Sequence, residues 1–366
     1  MGEYDADSTT VLQGLEGVRK RPGMYIGGTG VEGLHNLLWE AVGNAIDLHL
    51  RREATELHVA VSRDGWCTVR DDGPGIPVDV IPHAERTALE TVFTTLHPGA
   101  TYDGHHPHVH VTSGQFGVGV AVVSALSVRV EVETTRGGVR YAQAFARGEV
   151  TSPLGALGPT TTEGTTVRFQ PDPEIFTTVA LDEDRIATRL AELAWLNPLL
   201  QVSFQERRLP WRGGLRGWAD RLATAPVVAR FSTCQEVDDV YVDLALAWTE
   251  ASTSDVHCFV NMGRSVGGTH VDGIWQGLGA AASALGSRET ADVLRRRLEP
   301  GLIAIVHVGL LRPHWDAPSR EQLLSPAAGL AVARLLSREL PEAADRNRAL
   351  RALLRGASPA VTRTPS

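Results

Sequence analysis

The chain has 366 residues and a formal net charge of −8, and it contains no run of the about 20 apolar residues that a membrane span needs. The acidic balance argues against binding to nucleic acid or anionic membranes over the whole surface. Three cysteines without a CxxC pair argue against a disulfide framework or zinc site, and the start MGEYDADSTT is no secretory signal. We therefore expect a cytoplasmic globular protein with room for two domains.

Hydrophobic periodicity predicts elements in both halves of the chain. The first half begins with an extended arm, a helix at 11–20 and a strong amphipathic helix at 32–51. Two strands around Asp64-Gly65 follow, and then a helix at 85–97 and a Gly/His/Pro-rich loop at 98–116. The remaining elements of this half are a buried helix after Gly119, a hairpin around Gly137-Gly138, a strand in TTVRFQP and a helix at 181–196. After a break near PWRGG (210–214), the second half has strands at 240–248, 256–261 and GLIAIVHVGL, with helices at 273–286 and 326–354. Strands and helices alternate without a strict βαβ rhythm, so we predict an α+β fold.

Three polar residues share one stripe of the helix predicted at 32–51. Glu40, Asn44 and Asp47 stand at i, i+4 and i+7, a spacing that places them on one helix face. A carboxylate and an amide on one stripe can hold a water molecule and a hard cation such as Mg²⁺. A solvated polar face has the same pattern, so the stripe alone does not decide between the two.

Two glycine-containing segments follow. The segment DDGPGIP at 71–77 comes directly after the strand pattern CTVR, and it can bring a carboxylate and a close-approaching backbone to a ligand, or form a plain turn. The segment GQFGVG at 114–119 precedes an apolar helix, whose N-terminus favours anions such as a triphosphate. It is not a P-loop, because GK[ST] is absent, and it is not a Rossmann fingerprint, because a polar loop precedes it.

Taken together and in this order, the three motifs resemble the nucleotide-binding boxes of the GHKL ATPases, a fold shared by gyrase B, heat-shock chaperones, histidine kinases and mismatch-repair proteins. VLQGLEGVRKRPGMYIGGTGVEGLHNLLWEAVGNAID and ALETVFTTLHPGATYD further resemble gyrase B or its topoisomerase IV counterpart, as do FGVGVAVVSALS, GTTVRF and LAWLNP. CFVNMGRSVGGTHVDG and GLIAIVHV resemble the transducer domain of that family. The resemblance covers residues 4–335 and implies a GHKL sandwich of a mixed sheet and helices, followed by a ribosomal-S5-like α/β transducer domain.

The resemblance also implies a division of the chain. We expect an N-terminal dimerisation arm at 1–15, a GHKL ATP-binding domain at 16–213, a transducer domain at 214–354 and a disordered tail at 355–366. The TOPRIM domain that cuts DNA in a complete gyrase B has no counterpart in this sequence, so we expect no DNA-cleaving chemistry from it. The chain would then be part of a topoisomerase or a free-standing paralogue.

The resemblance assigns roles to single residues. Glu40 matches the general base that activates water, Asn44 matches the Mg²⁺ ligand, and Asp71 matches the carboxylate that reads the adenine amino group. Arg320 matches a lysine that reaches the γ-phosphate from the transducer, and Tyr4 matches an arm tyrosine that reaches the nucleotide of the partner subunit. The other residues expected to bind ATP are Asp47, Gly73, Gly75, Ile76, Pro77, Gly114, Gln115, Phe116, Gly117, Val118, Gly119, Val120 and Thr165.

The implied partners are a second copy of the chain, joined on ATP binding, and other gyrase or topoisomerase subunits. Arg136 matches an arginine at the pocket rim that aminocoumarin inhibitors touch. The run Arg295–Arg297 could contact DNA along the transducer, although charge on a helix face is more often simply solvated. Only Lys20 among the 35 basic residues is lysine, so an arginine at position 320 is weak evidence of altered function.

Several positions depart from the family pattern. Leu48 and Pro74 replace a glutamate and an arginine that form an ion pair at the pocket mouth, and losing both leaves no unpaired charge. Asn36 replaces a histidine that supports the base, and Gly43 replaces an aspartate beside the Mg²⁺ ligand. These changes leave open how fast the site would hydrolyse ATP.

The lid segment departs further. Thr101 and His110 stand near lysines that touch phosphate in the family, and Val109 replaces a tyrosine that helps to hold adenine. Four histidines within 105–110 raise the hypothesis of a metal site, but a solvated loop with incidental histidines is the favoured explanation.

Two functions of different classes remain open. The first is Mg-dependent ATP binding and hydrolysis that drives nucleotide-gated dimerisation. The alternative is a free-standing, non-hydrolysing paralogue that acts as a regulatory partner of gyrase or as an inhibitor-binding resistance module. A chaperone is disfavoured because RKRPGMYIG and GGTH point to gyrase, and a histidine kinase is disfavoured because no phospho-acceptor helix is apparent.

Overall fold

The structure is a computed structural model, and it describes residues 14–82, 84–96, 119–210, 212–317 and 320–356. These residues form two compact units. The first unit holds the described residues up to Leu209 except Trp195–Pro198, which group with the second unit, and the second unit continues from Pro210. Within the described ranges, no helix combines the length and apolar character that crossing a bilayer requires.

The first unit consists of helices on one mixed sheet. Its described elements are α1 (Glu16–Lys20), α2 (Gly23–Ile26), α3 (Val31–Leu50), β1 (Glu56–Val61), β2 (Cys67–Asp71), β3 (Val80–Ile81), β4 (Arg86–Thr87), α4 (Ala88–Thr94), α5 (Val120–Ala125), β5 (Ser127–Arg136), β6 (Val139–Ala146), β7 (Glu149–Pro159), β8 (Thr165–Pro171), α6 (Glu183–Leu196), β9 (Gln201–Phe204) and β10 (Arg207–Arg208). The sheet has the strand order β10-β9-β1-β2-β8-β5-β6-β7. Its β1–β9 pair is parallel and its other pairs are antiparallel.

The long helix α3 sets the position of the site. It packs against β1, β2 and α5. Twelve of its 20 residues are buried, and the wholly buried Leu37 and Ile46 show why: apolar residues recur at helical spacing and turn one face to the sheet. The helix predicted at 32–51 is confirmed to within one residue at each end.

The second unit is a smaller sheet with helices packed against it. Its described elements are α7 (Gly214–Leu222), β11 (Val227–Val237), β12 (Val240–Thr249), β13 (Asp255–Val260), β14 (Gly263–Ser265), β15 (Gly267–Gly268), α8 (Thr269–Ala284), α9 (Ala291–Leu298), β16 (Leu302–Gly309), β17 (Gln322–Leu323), α10 (Pro326–Arg346) and α11 (Arg348–Arg355). The sheet order is β11-β12-β16-β13-β14, with β13 and β16 parallel. Every residue of β16 is buried, so this strand forms the centre of the second core.

Glycines allow α8 and α10 to cross at backbone contact. A Cβ on Gly273 would lie 2.4 Å from the carbonyl oxygen of Gly329, and a Cβ on Gly329 would lie 2.6 Å from the carbonyl oxygen of Thr269. A Cβ on Gly277 would lie 2.6 Å from the Cβ of Leu336. Because packed cores leave no room for such atoms, the crossing requires glycine.

We expect Gly273→Ala to lower the free energy of unfolding by about 1–3 kcal/mol, because the added methyl forces α8 and α10 apart. Gly279→Ala is the matched control on the same helix, where a Cβ meets its nearest atom only at 4.0 Å. Without a clash, alanine should stabilise the helix by up to about 1 kcal/mol relative to glycine. Urea unfolding followed by tryptophan fluorescence measures both variants. Equal stability of the two would contradict the close crossing.

Candidate functional site

The acidic stripe of α3 meets the start of α5 through one hydrogen bond. Glu40 is 2% exposed, and its Oε2 accepts a hydrogen bond from the N–H of Gly119 at 3.0 Å. Gly119 has φ 70°, a conformation that favours glycine, and α5 begins at the next residue, the buried Val120. The first and third sequence motifs therefore converge at this contact.

The same helix reaches the second motif two turns later. Asn44 is exposed and Asp47 is half-buried. A Cβ on Gly73 would lie 2.9 Å from Cδ1 of Leu48, so the end of the stripe abuts the turn after β2. The eight residue steps of helix from Glu40 to Leu48 span about 12 Å. The stripe thus links Gly119, just before α5, to the glycine turn after β2.

Asp71 is the last residue of β2 and is 9% exposed. Burial raises its pKa to about 6, against backbone hydrogen bonds from Gly73 and Thr165 that lower it. The N–H of Gly73 lies 2.9 Å from Oδ1, and Thr165 lies directly opposite on β8. This carboxyl group changes charge just below neutral pH, and as a carboxylate it accepts hydrogen bonds.

The turn after Asp71 is pinned to the neighbouring strand β5. Gly75 has φ 76°, and a Cβ there would lie 2.0 Å from the carbonyl oxygen of Thr135. The N–H of Ile76 donates to Oγ1 of Thr134 at 2.8 Å, and that hydroxyl lies 3.3 Å from Oγ1 of Thr165. The backbone of the turn and the hydroxyl groups of Thr134 and Thr165 therefore lie around the carboxyl group of Asp71.

Two residues of this group were missed by the sequence reasoning. Thr134 is 1% exposed, and its only signal is its inward position in the alternating strand VRVEVETT. Gly164 has φ 126°, and a Cβ there would lie 2.1 Å from the carbonyl oxygen of Asp71. Gly164 opens the segment GTTVRF, in which the sequence analysis predicted a role only for Thr165.

Asp72 has a structural role, although it neighbours Asp71. Its carboxylate accepts hydrogen bonds from the N–H and hydroxyl of Thr55, at 2.7 and 2.5 Å, and from the N–H of Glu56 at 2.8 Å. Burial opposes ionisation of Asp72, but these hydrogen bonds outweigh it and hold its pKa below the usual value. Asp72 therefore fixes the start of β1, whereas Asp71 faces the glycine turn.

Two further polar side chains of α3, on the N-terminal side of Glu40, are buried. Nδ1 of His35 lies 2.7 Å from the carbonyl oxygen of Val31, and Nε2 lies 3.2 Å from the N–H of Asp182. These contacts place the proton on Nδ1, with Nε2 as the acceptor. Asn36 is 2% exposed and donates from Nδ2 to the carbonyl oxygen of Ile26 at 3.0 Å. Both side chains tie α3 to neighbouring segments.

A positively charged side chain, that of Arg136, lies at the rim of the site. The exposed Arg136 donates from Nη1 to the carbonyl oxygen of Pro74 at 2.9 Å. Pro77 is also exposed at this rim. The turn that carries Gly75 is thus braced from the end of β5 on its outer side.

The remaining residues expected at the site belong to the second unit or lie outside the described residues. Arg320 belongs to the second unit, where it is exposed and has φ 58°. Tyr4, Gly114, Gln115, Phe116, Gly117 and Val118 lie outside the described residues, as do Thr101, Val109, His110 and the rest of the histidine-rich segment. Within the part of the chain that the structure describes, no group of three or more His, Cys, Asp or Glu could hold a metal ion.

The two halves of the chain match two different family models. Residues 29–175 match the family model described as "Histidine kinase-, DNA gyrase B-, and HSP90-like ATPase", and residues 214–357 match the model described as "DNA gyrase B". The gyrase B protein of Thermus thermophilus is 38% identical over 370 residues, which cover 94% of this chain and 57% of that protein. The gyrase B protein of Thermotoga maritima is 34% identical, over 95% of this chain and 58% of that protein. The chain therefore spans a little over half the length of these relatives.

Solved structures agree in fold over almost the whole chain. The 43K ATPase domain of Thermus thermophilus gyrase B, in complex with an aminocoumarin, has a TM-score of 0.81 and 35% identity and covers 94% of both chains. The gyrase B structure from Myxococcus xanthus has a TM-score of 0.79 and 29% identity, over 94% of this chain and 99% of that one. The predicted α+β fold is confirmed as a GHKL ATPase domain followed by a second mixed-sheet domain. The chain belongs to the gyrase B family and corresponds to the ATPase region of these type II topoisomerase proteins.

Proposed function

We propose that this chain binds Mg-ATP, hydrolyses it, and uses the nucleotide to dimerise with a second copy of itself. The observation that carries the proposal is the 3.0 Å hydrogen bond from the N–H of Gly119 to Glu40. It places a buried carboxylate at the glycine-opened start of a helix, where phosphate oxygens are favoured. A base beside a phosphate site is what attack by water on a γ-phosphate requires.

Glu40 is the proposed general base. Its backbone hydrogen bond holds the carboxylate in one orientation, and its burial strengthens interactions with a nearby proton donor. Positioning of this kind supplies most of the catalysis in phosphoryl transfer. Arg320 is the proposed cation at the γ-phosphate, although an arginine fork and a lysine point charge bind phosphate with different geometry.

The group around Asp71 is the proposed adenine site. An ionised Asp71 would accept a hydrogen bond from the exocyclic amine, with Thr165 and Gly75 beside the ring. The absence of a Cβ at Gly75 lets the turn pack against Thr135 and so keeps the backbone of the turn close to Asp71 and Thr134. Gly73, Ile76 and Pro77 complete the proposed pocket.

Asn44 is the proposed protein ligand of magnesium. Its amide is exposed on the stripe one turn beyond Glu40, with Asp47 one turn further on. Mg²⁺ characteristically takes one or two protein ligands beside substrate phosphates and waters, so a single amide suits it. When bound, the ion would neutralise charge on the triphosphate. Asp47 and the residues of 114–120 are proposed to help to hold the nucleotide.

The proposed partners follow the same reasoning. Tyr4 would reach the nucleotide of the second copy, and other gyrase or topoisomerase subunits would join the assembly. Arg136 is the proposed contact for an aminocoumarin, the class of compound bound to the Thermus thermophilus domain. DNA contact by 295–297 gains little support, because Arg295 stacks 4.8 Å from the Trp275 ring and Arg297 is paired with Glu289.

We expect Glu40→Gln to lower the rate of phosphate release by about 10²–10⁴-fold, because the amide cannot take a proton from water. ATP binding should persist, since the amide oxygen still accepts from Gly119. Glu32→Gln is the matched control, because Glu32 is exposed on the same helix and paired with Arg185. Its rate should equal that of the wild type.

Native mass spectrometry with a non-hydrolysable ATP analogue tests dimerisation in the same variants. The wild type and both variants should become dimeric only with nucleotide. Equal phosphate release by wild type and Glu40→Gln would overturn the hydrolysis proposal. Tight nucleotide binding without hydrolysis, together with co-purification of a gyrase subunit, would favour the non-hydrolysing paralogue instead.

The proposed adenine contact predicts a pH dependence with a definite sign. An ionised Asp71 accepts from the amine more strongly than the protonated acid does, and in the free protein its pKa is about 6. Affinity for an ATP analogue should therefore rise as the pH increases through about 6 and level off above about 7. Calorimetry should show proton release on binding near pH 6.

Asp71→Asn is the control for this pH dependence. The γ-phosphate also titrates near pH 6, but it does so equally in both proteins. The asparagine variant should bind more weakly at pH 7, and the excess proton release of the wild type should vanish. Identical pH profiles for the two proteins would remove Asp71 from the nucleotide site.

A further inference from the structure

A pair of hydrogen bonds closes the segment of the second unit that carries Arg320. The N–H of Asp316 donates to the carbonyl oxygen of Gln322 at 3.2 Å, and the N–H of Gln322 donates back to Oδ1 of Asp316 at 3.1 Å. One residue thus joins both ends of the segment, once through its backbone and once through its carboxylate. We call this pair of hydrogen bonds the Asp316 clasp.

Arg320 sits inside the clasp in a conformation that needs support. Its φ is 58°, in the left-handed region, which residues other than glycine rarely adopt. Its N–H donates to the carbonyl oxygen of Ala317 at 3.0 Å. Such a conformation persists only where the surroundings hold it. The exposed Asp316 contributes two hydrogen bonds to those surroundings.

The far end of the segment is fixed to the strand that leads into α8. The N–H of Val266 donates to the carbonyl oxygen of Glu321 at 2.8 Å, and Gly267–Gly268 pair with Gln322–Leu323 as parallel strands. A Cβ on Gly268 would lie 2.2 Å from the carbonyl oxygen of Leu323, so the two backbones touch. At the near end, Trp315 bridges to Leu323 and the carbonyl oxygen of His314 accepts from the N–H of Leu324 at 2.7 Å. Asp316 therefore supplies the last described pair of hydrogen bonds before the turn that carries Arg320.

We propose that Asp316 is a positioning residue that sets where the guanidinium of Arg320 can reach. The proposal rests on the proposed function, in which Arg320 meets the γ-phosphate. Asp316 touches no nucleotide itself, since it acts through the backbone of the segment. The segment needs an oxygen at the position of Oδ1 that accepts from the N–H of Gln322, and it does not need the negative charge of Asp316.

Three substitutions separate the acceptor from the charge. Asp316→Asn keeps an oxygen in place and removes the charge, Asp316→Glu keeps the charge and moves the oxygen by one methylene, and Asp316→Ala removes both. Steady-state phosphate release by the full chain should fall about tenfold in the alanine variant, the rate equivalent of one lost hydrogen bond. The asparagine variant should stay within about twofold of wild type, and the glutamate variant should fall between them.

A double-mutant cycle tests whether Asp316 acts through Arg320. In an Arg320→Ala background, Asp316→Ala should have no further effect on the rate, because the positioned group is gone. Asp345→Ala is the matched control, since Asp345 is an exposed aspartate of the same unit paired only with Arg351 in the described contacts. It should leave the rate unchanged.

Several results would overturn the proposal. They are wild-type activity in Asp316→Ala when Arg320→Ala is impaired, effects that multiply in the double variant, or an active glutamate variant beside an inactive asparagine variant. Hydrogen exchange supplies a readout independent of hydrolysis: the Gln322 amide should lose protection in Asp316→Ala and keep it in Asp316→Asn. If wild type releases no phosphate, the proposed function fails, while the exchange result still decides whether Asp316 holds the segment.

Discussion

The candidate site depends on the hydrogen bond from Gly119 to Glu40. A carboxylate that is 2% exposed is stable only when polar groups meet it, and a backbone N–H at the start of α5 does so. The contact orients Glu40 and joins Gly119 to α3. Because α3 also abuts the turn after β2, one rigid helix holds both ends of the site, about 12 Å apart along its axis.

In both units, glycines allow backbone segments to pack in direct contact. Gly75 and Gly164 let the turn after β2 lie against its neighbouring strands, and Gly268 and Gly273 let β15 touch β17 and α8 touch α10. In each case the backbone occupies the place of a side chain. The second unit thereby offers a stiff base for the Arg320 segment, and Asp316 adds the pair of hydrogen bonds nearest the turn.

Sequence reasoning placed α3, the Asp64-Gly65 hairpin and β16 closely, because apolar periodicity and turn residues agree there. It missed β7, whose Pro153 and Gly155 disfavour a strand although an edge strand tolerates them. It also missed Thr134, since inward threonines are ordinary in strands and only the fold reveals its contact with Ile76. The run 295–297 suggested a charged surface, yet Arg297 donates to the carbonyl oxygens of the last turn of α11. Sequence shows the charge of such residues but not their long-range partners.

The claim that the α3 stripe, the Asp71 turn and the start of α5 form one nucleotide site has a direct test. It is the crystal structure of the chain with magnesium and a non-hydrolysable ATP analogue. We expect the adenine amine at Asp71, the metal at Asn44 and the terminal phosphate between Glu40 and the start of α5. Nucleotide density away from these three elements, or a chain that leaves the analogue unbound at millimolar concentration, would contradict it.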